Sequence, residues 1–172
     1  MVKNYLEKVL KEVTSQTGKQ QITCLPKPLV TDVFEHTEMF TTQRCLATVN
    51  KGWRTDEQSG PYRRFFGNGW YSEESGSELE FDVRGSEISM VYHIYKGNTG
   101  IIEVQVDDGE KIKLDAYMGW DWGGGKCQWK LLGRDLNDGW HKVKIMLLDE
   151  TNKHSKGHEF RIEAIMAGGV ME

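Results

Sequence analysis

Residues 78–115 read ELEFDVRGSEISMVYHIYKGNTGIIEVQVDDGEKIKLD, and the fold of the chain turns on them. Leu79, Phe81 and Val83 alternate with Glu80, Asp82 and Arg84, and Ile102, Val104 and Val106 alternate with Glu103, Gln105 and Asp107. An apolar residue at every second position puts all the apolar side chains on one side of a pleated strand, so both segments predict strands with one buried face. Between them, Ile88 to Tyr95 is apolar on both faces: Ile88, Met90, Tyr92 and Ile94 against Ser89, Val91, His93 and Tyr95. That predicts a strand covered on both sides, or one whose second face lines a groove. Asp108-Gly109 supplies two left-handed positions for a tight hairpin ahead of Ile112 and Leu114.

Downstream, the pattern continues through CQWKLLGRDLNDGWHKVKIMLLDETNK (127–153) and HEFRIEAIMAGG (158–169). Val143, Ile145 and Leu147 mark one face of a long strand, with Trp140, Lys142 and Lys144 on the other. Phe160, Ile162, Ala164 and Met166 predict a last strand that closes the sheet. Regularly spaced strands without helical pattern between them predict an all-β sandwich or barrel.

Upstream, Val2, Leu6, Val9, Leu10 and Val13 share one helical face, which predicts a short amphipathic helix within residues 1–18. At about 12 residues such a helix is marginal alone in water and must dock its stripe. It reads as the end of an upstream domain or as an element packed on the sandwich, which takes residues 19–172. Gln20 to Thr42 is a connection held extended by Pro26 and Pro28. Arg44 to Val49 predicts a first strand, and Asn50 to Tyr62 a long polar loop that carries Trp53. The stretch RRFFGNGWYSEESG (63–76) is rich in glycine and aromatics.

The 172 residues carry 26 acidic and 22 basic side chains, a formal charge of −4. That balance argues against a grip on nucleic acid or an anionic membrane, both of which need a basic field. No apolar run approaches the roughly 20 residues of a membrane span, and the first residues lack the apolar core of a signal peptide. Three cysteines, Cys24, Cys45 and Cys127, form no CxxC pair, and their odd number favours a reducing compartment. No GxSxG, HExxH or P-loop pattern occurs, and no metal or cofactor is expected. His141, beside Gly139-Trp140 at a strand start, predicts a structural hydrogen bond.

The succession LEFDVRGSEISM, GIIEVQVDDGEKI, RDLNDGWHKVKIML and EFRIEAIMAGG resembles the jelly-roll, carbohydrate-binding-module-like domains attached to SGNH/GDSL-type esterases, including the family 2 carbohydrate esterases. In those domains a strand-turn-strand ends in glycine, a hairpin carries a V-x-V-D-G-like turn, and L-x-x-G-x-H opens a long strand. The resemblance covers about Gly69 to Gly169. It implies a jelly-roll β-sandwich and a non-catalytic accessory role. The Gly-Asp-Ser nucleophile block of the esterases is absent, and no Asp-x-x-His block stands near the terminus, so the chain by itself lacks their triad.

Six tryptophans in 172 residues is a rich supply, and sugar rings offer apolar C–H faces that pack on exposed indoles. Gly119-Trp120-Asp121-Trp122-Gly123 combines two rings, an acid and flexible glycines. Trp120, Asp121 and Trp122 are therefore the expected ligand contacts, with Trp53, Trp70, Arg64, Tyr117 and His93 as further walls. The bland account of the same indoles is that they cap the end of the sandwich. The expected partner is a carbohydrate, or the catalytic domain of a parent esterase if the tryptophans serve as docking anchors.

Overall fold

The computed structural model describes residues 7, 11, 37–44, 47–56, 68–120 and 124–169. The chain divides into two units, Met1–Val30 and Thr31–Glu172. In the first, Glu7 and Lys11 are helical and exposed. The rest of the helix expected over 1–18 lies outside the described residues.

The second unit is an all-β sandwich of two antiparallel sheets. Sheet A contains β1 (Thr37–Phe40), β3 (Arg54–Thr55), β4 (Trp70–Ser72), β6 (Glu87–Ile94), β9 (Lys126–Gly133) and β11 (Phe160–Gly168). Its order is β3-β4-β11-β6-β9, and β1 also pairs with β11. Sheet B contains β2 (Val49–Lys51), β5 (Glu78–Arg84), β7 (Ile101–Val106), β8 (Ile112–Asp115) and β10 (Trp140–Leu147), in the order β2-β5-β10-β7-β8.

The alternation read from the sequence is what seals the two layers. Leu79, Phe81 and Val83 of β5 and Val143, Ile145 and Leu147 of β10 face Ile88, Met90 and Tyr92 of β6 across the core, all buried. Each aliphatic or aromatic side chain so enclosed contributes roughly 1.5–3 kcal/mol. Strand β6 is buried from Ile88 to Ile94 on both faces, as its uniformly apolar reading requires.

Four details depart from the sequence reading. The last strand does not close a sheet but lies inside sheet A, between β4 and β6. Its register shifts between Ile162 and Ala164, so Glu163 is an inserted residue and the inward set is Phe160, Ile162, Ile165 and Ala167 rather than one continued through Ala164 and Met166. The left-handed residue of the β7–β8 hairpin is Asp107 (φ 51°) and not the Asp108-Gly109 pair. Asp107 tolerates that backbone because its carboxylate accepts from the Lys142 amide at 2.8 Å and pairs with His141 Nδ1 at 2.7 Å. Finally, Arg44 lies in a turn and Cys45 and Leu46 lie outside the described residues. The first strands are the short β1, β2 and β3, with β3 inside the expected loop.

Candidate functional site

The pairing registers bring three long connections to one end of the sandwich. Ile101 lies opposite Asp115, Ile102 opposite Leu147, and Ile94 opposite Lys126. The β6–β7 loop (95–100), the β8–β9 loop (116–125) and the β10–β11 loop (148–159) therefore emerge side by side.

These loops are tied to one another. The Tyr95 amide donates to the Ala116 carbonyl at 3.1 Å and the Met118 amide returns to the Tyr95 carbonyl at 3.1 Å. The Glu159 amide donates to the Asn98 carbonyl at 2.7 Å, and the Gly100 amide to the Glu159 carbonyl at 2.8 Å. The Ser155 hydroxyl lies 2.5 Å from the Thr99 carbonyl and 3.1 Å from that of Gly97. Asp115 holds two loops at once: its Oδ1 accepts from the Tyr117 amide at 2.7 Å and its Oδ2 from Asn152 Nδ2 at 2.6 Å. These bonds between neighbouring connections hold the described parts of the three loops together.

That surface holds a cleft of about 320 Å³ lined by Lys96, Gly97, Asn98, Tyr117, His154 and Lys156. Tyr117 and His154 stack with centroids 5.9 Å apart and planes at 29°. Trp120, on the same loop as Tyr117, is 63% exposed, and Lys126 Nζ stands 5.3 Å from its ring centroid. An exposed indole three residues along the loop from a half-buried tyrosine is apolar area left open to solvent among polar groups, the kind of surface that suits a sugar ring.

Of the other expected residues, Arg64, Asp121 and Trp122 lie outside the described residues. Trp53 and Trp70 are not walls of a ligand surface. Both are core residues, 5% and 3% exposed, and Trp70 meets Phe81 edge-on at 4.8 Å. Both caps were read as loop residues because of their glycine neighbours, yet Gly69 allows β4 to press on β11: a Cβ there would stand 2.1 Å from the Ile162 carbonyl oxygen. Sequence reasoning missed His154, Lys96, Lys156 and Asn98. Their signal was present in the turn-rich runs YKGNTG (95–100) and KHSKG (153–157), but only the register places those runs together.

His93 is 4% exposed and faces outward on sheet A, stacked on Tyr95 at 5.6 Å. Burial, aided by the Arg161 charge, lowers its pKa and keeps it neutral. It serves the site from beneath. Gly125, in the loop that carries Trp120, lies so close that a Cβ would come within 2.4 Å of His93 Nε2. His93 is thus a floor for that loop rather than a wall of the cleft.

His93 belongs to a polar row across sheet A. By register, Arg54, Tyr71, Arg161, His93 and Cys127 follow one another across β3, β4, β11, β6 and β9. Both guanidinium groups lie over the Tyr71 ring, at 4.7 Å for Arg54 and 4.4 Å for Arg161. Arg161 also binds Asp56 at 2.5 Å and Glu159 at 2.7 Å. Burial pushes the Cys127 thiol up to about 11, which removes it as a nucleophile at neutral pH. Cys24 and Cys45 lie outside the described residues.

At the opposite end, Asp138-Gly139-Trp140-His141 has an Asp-x-x-His spacing, but His141 is structural as expected. Its Nδ1 lies 2.7 Å from Asp107 and its Nε2 2.8 Å from the Asn137 carbonyl, so both ring nitrogens are committed. Among the described residues no group of three or more His, Cys, Asp or Glu is placed to hold a metal ion.

No family model matches the chain, and no curated protein matches it. Solved structures do. A two-domain esterase (CEX) active on acetylated mannans superposes with a TM-score of 0.73 at 21% identity, over 96% of this chain and 45% of that one. The form co-crystallized with mannopentaose gives 0.72 at 21% identity, over 97% and 44%. Xanthan lyase from Paenibacillus gives 0.51 at 11% identity, over 77% and 13%. At these identities the likeness is one of fold, and this chain spans less than half the length of the esterase. The strand signatures that resembled an esterase's accessory domain thus point to the same fold as the superposition does.

Proposed function

We propose that this chain is a jelly-roll, non-catalytic carbohydrate-binding accessory domain of a larger SGNH/GDSL-type esterase. Its ligand is a saccharide chain seated on the loop end. Tyr117 and Trp120 form the platform there. The observation that carries this reading is the exposed indole and the Tyr117–His154 stack, standing on three connections that hydrogen-bond to one another. The shared fold with an esterase active on acetylated mannans supports the parent context. The commitment of both His141 nitrogens supports a non-catalytic role, since the His141–Asp107 pair has no ring nitrogen left for a hydroxyl nucleophile.

Trp120→Ala tests it. Covering about 80 Å² of indole with a sugar face is worth about 2 kcal/mol, so the variant should lose about 30-fold in affinity for oligosaccharides by calorimetric titration. Its melting temperature should not change, because the ring is largely in solvent. Equal affinity in the variant would remove this loop as the site.

A second reading keeps the surface and changes the partner: Trp120 anchors the domain on the catalytic domain of its parent. It is favoured by the chain's spanning only 45% of the esterase that shares its fold. Tryptophan fluorescence separates the two, since sugars shift it in the first case and only the partner domain in the second.

A further inference from the structure

Trp120 stands where the chain gives a side chain little support. A Cβ at Gly119 or at Gly124 would meet nothing within 4 Å, so the connection that carries the ring stands clear of its surroundings at both positions. The indole is 63% exposed, and among the described residues the group over its ring is Lys126 Nζ, 5.3 Å from the centroid. Lys126, by contrast, is firmly placed. It is the first residue of β9 and pairs with Ile94 of β6. Gly125, just before it, presses on the same strand: a Cβ there would come within 2.4 Å of His93 Nε2 and 2.9 Å of the Ile94 carbonyl oxygen. An indole hinged on an exposed loop samples several rotamers, and its affinity for a ligand that needs one of them falls with the fraction of time spent in the others. An ammonium group held by a strand attracts the π face of the ring and favours the rotamer that keeps them together.

We propose that Lys126 is a positioning residue of the saccharide platform: its ammonium group covers one face of the Trp120 indole, holds the ring in one rotamer, and leaves the opposite face for a sugar ring to stack on. This rests on the carbohydrate-binding reading and deepens it, since Lys126 then raises affinity without touching the ligand. It also limits the indole to one sugar face at a time, because the other side is already taken.

The test compares Lys126→Met, which keeps an unbranched side chain but removes the charge, with Lys126→Arg, which keeps a cation able to lie over the ring. Two readouts are taken on the whole chain: calorimetric titration with β-1,4-mannopentaose, and the heteronuclear NOE of the Trp120 indole N–H in the free protein, a signal identified by its loss in Trp120→Ala. In Lys126→Met the affinity should fall about three- to fivefold and the NOE should drop to a mobile value, while the melting temperature holds. Lys126→Arg should restore both. An NOE unchanged in Lys126→Met would overturn the assignment, whatever the sugar. Equal or tighter binding in Lys126→Met would overturn it too and leave the carbohydrate reading intact. A lowered melting temperature in Lys126→Met would make the effect one of strand stability and overturn the positioning role. Absence of binding in the unaltered chain would overturn the carbohydrate reading and this assignment with it.

Discussion

Glu163 puts the packing of sheet A to a quantitative test. It is the inserted residue of the β11 bulge, 7% exposed, on the face turned away from the core. Burial raises its pKa to about 7, the neighbouring Asp56 adds to the rise, and Arg161 opposes it. Arg161 opposes only weakly because its charge is already matched by Asp56 and Glu159. The sign follows from proton binding. Between the ordinary carboxyl value near 4.5 and about 7 the folded chain holds a proton that the unfolded chain has released, so stability falls as pH rises through that window. About 2.5 units at 1.36 kcal/mol each makes the loss about 3 kcal/mol by pH 8. Glu163→Gln keeps the shape and removes the titration. Urea unfolding of both proteins at pH 4.5, 6 and 8, followed by tryptophan fluorescence, should show little difference at pH 4.5. At pH 8 the variant should be more stable by about 3 kcal/mol, equivalent to roughly 6–12 °C in melting temperature. Parallel stability profiles across this range would refute the reasoning, for they would mean that Glu163 ionises in the folded chain as readily as in water.

Two further outcomes follow from the polar contacts. For His141, burial works to lower the pKa, but its bonds to Asp107 and the Asn137 carbonyl, with the Asp107 charge, raise it overall. Its stabilisation is therefore complete below about 6.5 and is lost as pH rises through the folded value. His141→Gln should cost about 1 kcal/mol at pH 6 and measurably less at pH 9, read by thermal unfolding; an equal cost at both would remove the charge contribution. Ser155→Ala deletes the hydroxyl shared by the Thr99 and Gly97 carbonyls. It should cost about 1 kcal/mol of stability and loosen the cleft, so that oligosaccharide affinity falls while the chemical shifts of β5 and β10 stay in place.

The sandwich was legible where strands are long and one-faced. Strands β5, β7 and β10 show two or more full alternations, and β6 shows its double burial. The strands that were missed, β1 to β4, have two to four residues, too short to display a period. The face of β11 was misassigned beyond Ile162 because the bulge at Glu163 arises from pairing with β6, which no local pattern encodes. Trp53 and Trp70 misled for a related reason. Glycine beside an aromatic reads as a loop, but here it marks close strand packing that encloses the ring. Tyr117 and Trp120 were singled out by residue type alone, whereas a cleft built from residues 96, 117 and 154 exists only after the sheets have paired.

Why the long connections of the proposed ligand surface gather at this end follows from chain lengths. Sheet faces pack about 10 Å apart, a gap that about three extended residues can cross. At the other end the β5–β6 crossing uses only Gly85 and Ser86, and the β9–β10 crossing, residues 134–139, runs to six. The β6–β7, β8–β9 and β10–β11 crossings run to six, ten and twelve residues, well beyond what the gap demands. Surplus chain at a sandwich end must either lose order or find partners for its backbone, and here the described part finds them in the neighbouring loops. The described excess divides: Thr99, Ala116 and Met118 turn inward and are buried, while Lys96, Trp120, Lys153, His154 and Lys156 stay exposed, so aromatic and cationic groups gather where the sheets themselves need no cover.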